Sequence, residues 1–124
     1  MEKSASILLI EDESAIADMY AFKFRKAGYA VTVARDGAEG LRRAQEILPD
    51  LILLDILMPR MDGLSVLQSL KAKGETRDIP VVLLTNLGQE EDIERGLAAG
   101  ALDYLIKANY TPAEILAKIK KIIK

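Results

Sequence analysis

The chain of 124 residues contains neither cysteine nor histidine. Without cysteine it has no disulfides and no thiolate metal sites. Without either residue zinc is disfavoured, since zinc sites are built mainly from sulfur and imidazole. Long apolar runs are missing too. No stretch approaches the roughly 20 residues of a membrane-spanning helix, the leading MEKSAS is polar, and Ile7–Ile10 is far too short for a signal peptide. A net charge of −2 lacks the basic excess of an electrostatic nucleic-acid binder. The basic tail Lys118–Lys124 reads as lysines that offset the dipole of a last helical turn. No internal repeat, low-complexity tract or linker interrupts the chain. What is present is a globular balance, 50% hydrophobic and 29% charged. A chain of this length buries roughly two-thirds of its unfolded surface and folds without staples. The expectation is one soluble, cytoplasmic domain over residues 1–124, with no room for an output domain.

Short apolar runs alternate with amphipathic segments. Ile7–Ile10, Leu51–Leu54 and Val81–Leu84 are near-continuous runs, the pattern of strands buried on both faces. Ala30–Ala34 and Tyr104–Ile106 are two further strand candidates. Between them a helical period appears: Ile16, Tyr20 and Phe24; Leu41, Ala44 and Leu48; Leu64, Leu67 and Leu70. Thr111-Pro112-Ala113-Glu114 combines an N-cap hydroxyl, a proline at the first helical position and a capping-box glutamate, followed by an isoleucine-rich face. Asp36–Glu39 offers a similar box, and Asp62 an N-cap for the third helix. The segment Glu90–Ala99 is weaker, with Ile93 and Leu97 its only large apolar residues. Gly28, Gly74 and Gly100 fall where helices should stop. Five strand–helix pairs in this order predict an α/β fold, a flavodoxin-like (βα)5 three-layer sandwich with parallel sheet order 2-1-3-4-5.

In such a sheet ligands bind beyond the carboxyl ends of the strands. There the first strand supplies Glu11 and Asp12, the third Asp55, the fourth Thr85 and the fifth Lys107. Read singly, each has a plain explanation. Asp55 could be a turn residue, Glu11-Asp12-Glu13 an acidic helix start, Thr85 a strand-end hydroxyl and Lys107 a solvated lysine. Read together, three crowded carboxylates repel one another and call for a hard divalent cation such as Mg²⁺. A lysine and a hydroxyl on the same rim suit a phosphoryl group, and an aspartate can act as its nucleophile.

Together these residues resemble a response-regulator receiver domain over essentially the whole chain. Glu11-Asp12 matches the family's metal-binding acidic pair, and Asp55–Gly63 matches its D-x-x-M-P-x-M-D-G stretch. Thr85 stands at the switch Ser/Thr, Lys107 at the lysine, and Tyr104 at the switch aromatic. The resemblance implies that Asp55 accepts a phosphoryl group from a phosphohistidine on a histidine kinase or histidine phosphotransfer protein. It implies Mg²⁺ held by Asp12, Asp55 and the backbone carbonyl of Leu57, with Glu11 acting through water. Thr85 and Lys107 would hold the phosphoryl oxygens. Thr85 moving inward would let Tyr104 turn from solvent toward the core, remodelling a surface of helix 4, strand 5 and helix 5. Such a domain is a phosphoacceptor rather than an enzyme, though it assists its own phosphorylation and dephosphorylation. Its downstream target is a protein that the sequence does not name, with no membrane and no direct nucleic-acid contact. Whether phosphorylation drives homodimerisation stays open.

The chain departs from the family at three places. Ala108 follows Lys107 where the family has proline, often in a cis peptide, so a trans or differently shaped loop is expected. Asn86 replaces a small residue after Thr85. Leu57 and Leu87 bring aliphatic side chains to the path of an attacking water, and slow autodephosphorylation is expected from that shielding. Two other classes of function fit poorly. A flavin- or nucleotide-binding module needs a Gly/Ser/Thr-rich phosphate loop where this chain has Glu11-Asp12-Glu13. A Mg²⁺-dependent phosphatase with an aspartate nucleophile needs a second acid where Leu57 stands. The alternative of another kind is a phosphorylation-independent interaction module, favoured only by the Lys107-Ala108 loop.

Overall fold

The computed structural model describes residues 4–58 and 61–123. Pro59 and Arg60 of the matched stretch, Lys124 of the basic tail and the first three residues lie outside that range. Five strands, β1 (Ser6–Ile10), β2 (Ala30–Ala34), β3 (Leu51–Leu54), β4 (Val81–Thr85) and β5 (Asp103–Ile106), form one sheet. Its order is β2-β1-β3-β4-β5 with every pairing parallel, as the alternation of runs predicts. Helices α1 (Ser14–Lys26), α2 (Gly37–Ile47), α3 (Gly63–Ala72), α4 (Glu90–Ala98) and α5 (Pro112–Ile122) connect and follow the strands.

The apolar runs are continuous because both faces of the sheet are covered. Ile7, Leu9, Leu51, Leu53, Val82, Leu84 and Leu105 point to α1 and α5, where Tyr20, Phe24, Ile115 and Ile119 close the layer. Leu8, Ile10, Ile52, Leu54, Val81, Leu83 and Tyr104 point the other way, toward Ala44, Val66, Leu67 and Leu70 of α2 and α3. Each fully buried leucine or isoleucine contributes about 1.5–3 kcal/mol. The Thr111/Glu114 capping box forms in both directions. Asp36 caps α2 through the Glu39 amide, while the Glu39 carboxylate accepts from the Arg35 amide, one residue before the cap. Asp62 accepts from the Ser65 amide at 2.9 Å and caps α3.

Two apolar assignments need correction. Leu48 does not share the α2 face. It ends the helix in the left-handed region at φ 45° and is 52% exposed, because Pro49 disfavours helical geometry in the residue before it. The buried stripe of α3 is Gly63, Val66, Leu67 and Leu70, with Leu64 only partly covered. Gly28 and Gly100, at φ 102° and 111°, end α1 and α4. Gly74 lies past the end of α3, beyond a C-cap at Lys73 that is extended.

The rotation of α3 comes from its first residue. The Gly63 amide donates to the Ile56 carbonyl at 2.9 Å. A β-carbon there would stand 2.3 Å from the Asp55 carbonyl oxygen and 2.6 Å from Ile56 Cα. The helix therefore begins in direct contact with the backbone that carries Asp55. Gly63→Ala is expected to lose about 1–3 kcal/mol of stability in urea unfolding, the usual cost of overpacking a rigid contact. Unchanged stability would show that α3 does not brace the Asp55 segment.

Candidate functional site

The parallel register brings the carboxyl ends of β1, β3, β4 and β5 to one rim. The Asp55 amide donates to the Ile10 carbonyl at 3.1 Å, and the Glu11 amide to the Ala34 carbonyl at 3.0 Å, so the acids extend the sheet by one residue. Glu11 is 1% exposed and Asp55 6%, and Asp12 is half-buried. Carboxylate oxygens of all three lie within 4.8 Å of one another. The Lys107 ammonium, with its side chain 9% exposed, donates to Glu11 and to Asp55, the latter at 3.0 Å. The second Asp55 oxygen accepts from the Leu57 amide at 3.1 Å, and Glu11 also accepts from the Glu13 amide at 3.1 Å.

The plain explanations offered for single residues meet these facts differently. Glu11 and Asp12 are not a helix start, since α1 begins at Ser14 with no acid in its first turn. Lys107 is not solvated. Burial alone would lower the pKa of its ammonium, yet hydrogen bonds to Glu11 and Asp55, and their charges, outweigh that and hold it above the ordinary lysine value. Burial pushes the Glu11 carboxyl up, and Lys107 and the Glu13 amide pull it back only in part. Three carboxylates facing one ammonium leave an excess of negative charge on hard oxygen donors. That set fits a divalent cation of the Mg²⁺ type.

Thr85 is fully buried at the end of β4, and its hydroxyl oxygen accepts from the Leu87 amide at 3.4 Å. Leu87 is bound at its other end as well, because its carbonyl accepts from the Tyr104 hydroxyl. The Leu87 peptide thus links the Thr85 hydroxyl to the Tyr104 ring. This backbone role carries no side-chain signal, and sequence reasoning sees in Leu87 only an aliphatic group near the rim. Tyr104 is 8% exposed, so the ring does not start in solvent as the resemblance implies; it is already turned inward. Leu57 is 55% exposed at the rim, and Asn86 is exposed as well. Lys107–Asn109 forms a single 3₁₀ turn, and no cis peptide occurs among the described residues, the Lys107–Ala108 bond included.

The ends of consecutive strands of one parallel sheet thus bring together an acidic pair, a central aspartate, a buried threonine and a lysine. Residues 7–120 match the response regulator receiver domain, and the chain belongs to that family. It is 42% identical over 118 residues to the DNA-binding dual master transcriptional regulator RpaA of Synechocystis sp., a match covering 95% of this chain and 48% of that protein. It is likewise 42% identical to the phosphate regulon transcriptional regulatory protein PhoB of Escherichia coli K12, over 95% of this chain and 51% of that one. The chain spans about half the length of the curated relatives it matches. Among solved structures, the chemotaxis protein CheY4 of Vibrio cholerae is similar with TM-score 0.91 and 29% identity, covering 98% of this chain and 100% of that one.

Burial, with Asp92 and Asp55 nearby, pushes the Tyr104 phenol up to about 12 from its ordinary 10.0. The stability that Tyr104 contributes by remaining neutral is therefore whole below pH 10 and is lost as the pH climbs toward 12. In an absorbance titration, Tyr104→Phe should remove part of the late phenolate signal and none of the signal near pH 10. Loss of the earlier signal instead would put the ring in solvent.

Proposed function

We propose that residues 1–124 form one receiver domain whose Asp55 accepts a phosphoryl group from a phosphohistidine on a histidine kinase or histidine phosphotransfer protein. The observation that carries this reading is the placement of Asp55. It is a buried aspartate within 4.8 Å of two further acids, oriented by the Leu57 amide on one oxygen and by Lys107 on the other. An Asp55 carboxylate oxygen bonds to phosphorus as the phosphorus–nitrogen bond of the donor breaks, and the imidazole leaves with that electron pair. Little else is asked of the protein beyond position and charge. Lys107 stays cationic and can move from Asp55 to a phosphoryl oxygen without leaving Glu11. Thr85, at the end of the neighbouring strand, offers a hydroxyl to a second oxygen. Asp12, Asp55 and the Leu57 carbonyl would hold Mg²⁺, with Glu11 acting through water. When bound, the cation supplies charge neutralisation at the phosphoryl oxygens.

The Thr85 oxygen accepts from the Leu87 amide, so when the hydroxyl shifts toward Asp55 to donate to a phosphoryl oxygen it pulls on Leu87 and through it on Tyr104. The output is a changed surface of α4, β5 and α5, read by a protein target or by a second copy of the chain. We assign the domain no enzymatic role beyond assisting its own phosphorylation and dephosphorylation, and place it in the cytoplasm. Among the described residues no helix is long and apolar enough to cross a membrane. RpaA, a DNA-binding regulator, matches this chain over about half of its own length, so the expectation of no nucleic-acid contact extends only to residues 1–124.

Intact-mass spectrometry after incubation with a small phosphodonor tests the reading. One Mg²⁺-dependent phosphoryl adduct is expected, absent in Asp55→Asn. Failure with both the small donor and a phosphorylated histidine protein would overturn it and favour the phosphorylation-independent module. The same adduct is expected to decay several-fold faster in Leu57→Asn, whose amide admits water where leucine excludes it. An unchanged lifetime would remove Leu57 as a shield.

A further inference from the structure

The three acids at the rim are held unequally. Glu11 and Asp55 share Lys107, and each also accepts a backbone amide. Among the described residues the Asp12 carboxylate has no hydrogen-bond or ion-pair partner. Its position therefore depends on the backbone between β1 and α1. That backbone enters the helix without help from its own side chains, because Glu13, the N-cap of α1, makes no side-chain capping bond. Support comes from the end of β2 instead. One guanidinium nitrogen of Arg35 donates to the Ser14 hydroxyl, and another lies 3.4 Å from an Asp18 carboxylate oxygen. The planar fork thus spans the first turn of α1, from its first residue to its fifth. Behind the fork the chain is fixed twice. The Arg35 amide donates to Glu39 of α2 at 2.7 Å, and the preceding Ala34 carbonyl accepts the Glu11 amide at 3.0 Å. Arg35 therefore ties the start of α1, two residues from Asp12, to the end of β2 and the start of α2.

We propose that Arg35 is a positioning residue for Asp12, its fork on Ser14 and Asp18 holding the turn between β1 and α1 as Asp12 needs it to meet a divalent cation. The Arg35 side chain is 43% exposed and that of Asp18 71%, so their ion pair contributes little stability by itself. What the fork supplies is order in the segment that carries a free ligand, and order made before binding need not be made during it. The two effects that Arg35 has on a cation differ in sign. As a positive charge on an acidic rim it opposes Mg²⁺. As a brace for Asp12 it favours Mg²⁺. An exposed charge is screened by salt, and the brace prevails. The proposal rests on Asp12 as a metal ligand of the receiver reading and goes beyond it by naming what holds that acid in place.

Calorimetric titration of Mg²⁺ into the full chain tests it. Arg35→Gln and Ser14→Ala should each bind Mg²⁺ several-fold more weakly than the parent, and the double variant no more weakly than Arg35→Gln. Arg35→Lys keeps the charge without the planar fork and should fall between parent and Arg35→Gln. Tighter or unchanged binding in Arg35→Gln, or unchanged binding in Ser14→Ala, would overturn the proposal. Both side chains are exposed, so the variants are expected to fold, and amide exchange reads the brace without metal. In the parent the Glu13 amide is bonded to the Glu11 carboxylate and the Ala17 amide to the Glu13 carbonyl. Both amides should exchange several-fold faster in Arg35→Gln, with α5 unaffected. Unchanged exchange would equally overturn the proposal. A parent that binds no Mg²⁺ and forms no phosphoryl adduct overturns the receiver reading and leaves the brace to the exchange data. A parent that binds Mg²⁺ and forms the adduct, with Arg35→Gln indistinguishable from it, overturns the brace alone.

Discussion

The ammonium ion of Lys107, shared between the buried carboxylates of Glu11 and Asp55, is the interaction on which the rest of the structure depends. Neither acid is affordable alone at 1% and 6% exposure, since an unpaired buried charge is strongly disfavoured. The three residues are separated by 52 and 96 positions in sequence. They meet because β1, β3, β4 and β5 are consecutive in the sheet and parallel. Taking one partner from such a buried set typically costs about 3–5 kcal/mol. The same charged cluster thus ties three strands of the sheet together and charges the rim.

That rim is rigid on one side and yielding on the other. Around Asp55 everything is braced: β3 is buried on both faces, and α3 begins in contact with the Asp55 carbonyl through Gly63. Around Thr85 the links are single and breakable. The Leu87 amide lies 3.4 Å from the Thr85 hydroxyl oxygen, and α4 buries only Gly96, against Leu83 and the Tyr104 ring, with Ile93 partly buried against the core. Under the proposed function, a chemical change at the braced carboxylate would be taken up by the loosely held helix. This is the division of stability that a signalling domain needs.

Much of this is legible in the sequence, and the failures have physical causes. β2 and β3 run as their apolar patterns indicate, and β1, β4 and β5 each extend one residue further; β1, β3 and β4 are buried on both faces, which leaves no other placement for such runs. The Thr111 and Asp62 caps are equally plain, being local side-chain chemistry. Leu48 misleads because its spacing continues a helix that the following proline ends. Val66 is overlooked because three leucines one turn apart mask a face set by the Gly63 contact. At the candidate site the residue types are visible, whereas the inward Tyr104 ring and the two bonds of the Leu87 peptide are not. They depend on rotamers and backbone groups that carry no letter in the sequence.

If Lys107 stands in for a cation between acids that would otherwise repel, it should compete with a divalent ion for their oxygens. Calorimetric titration of Mg²⁺ into the parent and into Lys107→Met measures this directly. Methionine keeps most of the stem volume and removes the ammonium, both its charge and its hydrogen bonds to Glu11 and Asp55. Several-fold tighter Mg²⁺ binding is expected in Lys107→Met, abolished by adding Asp12→Ala. Equal or weaker binding without the lysine would contradict it, and the ammonium would then be an independent support rather than the ion's counterpart.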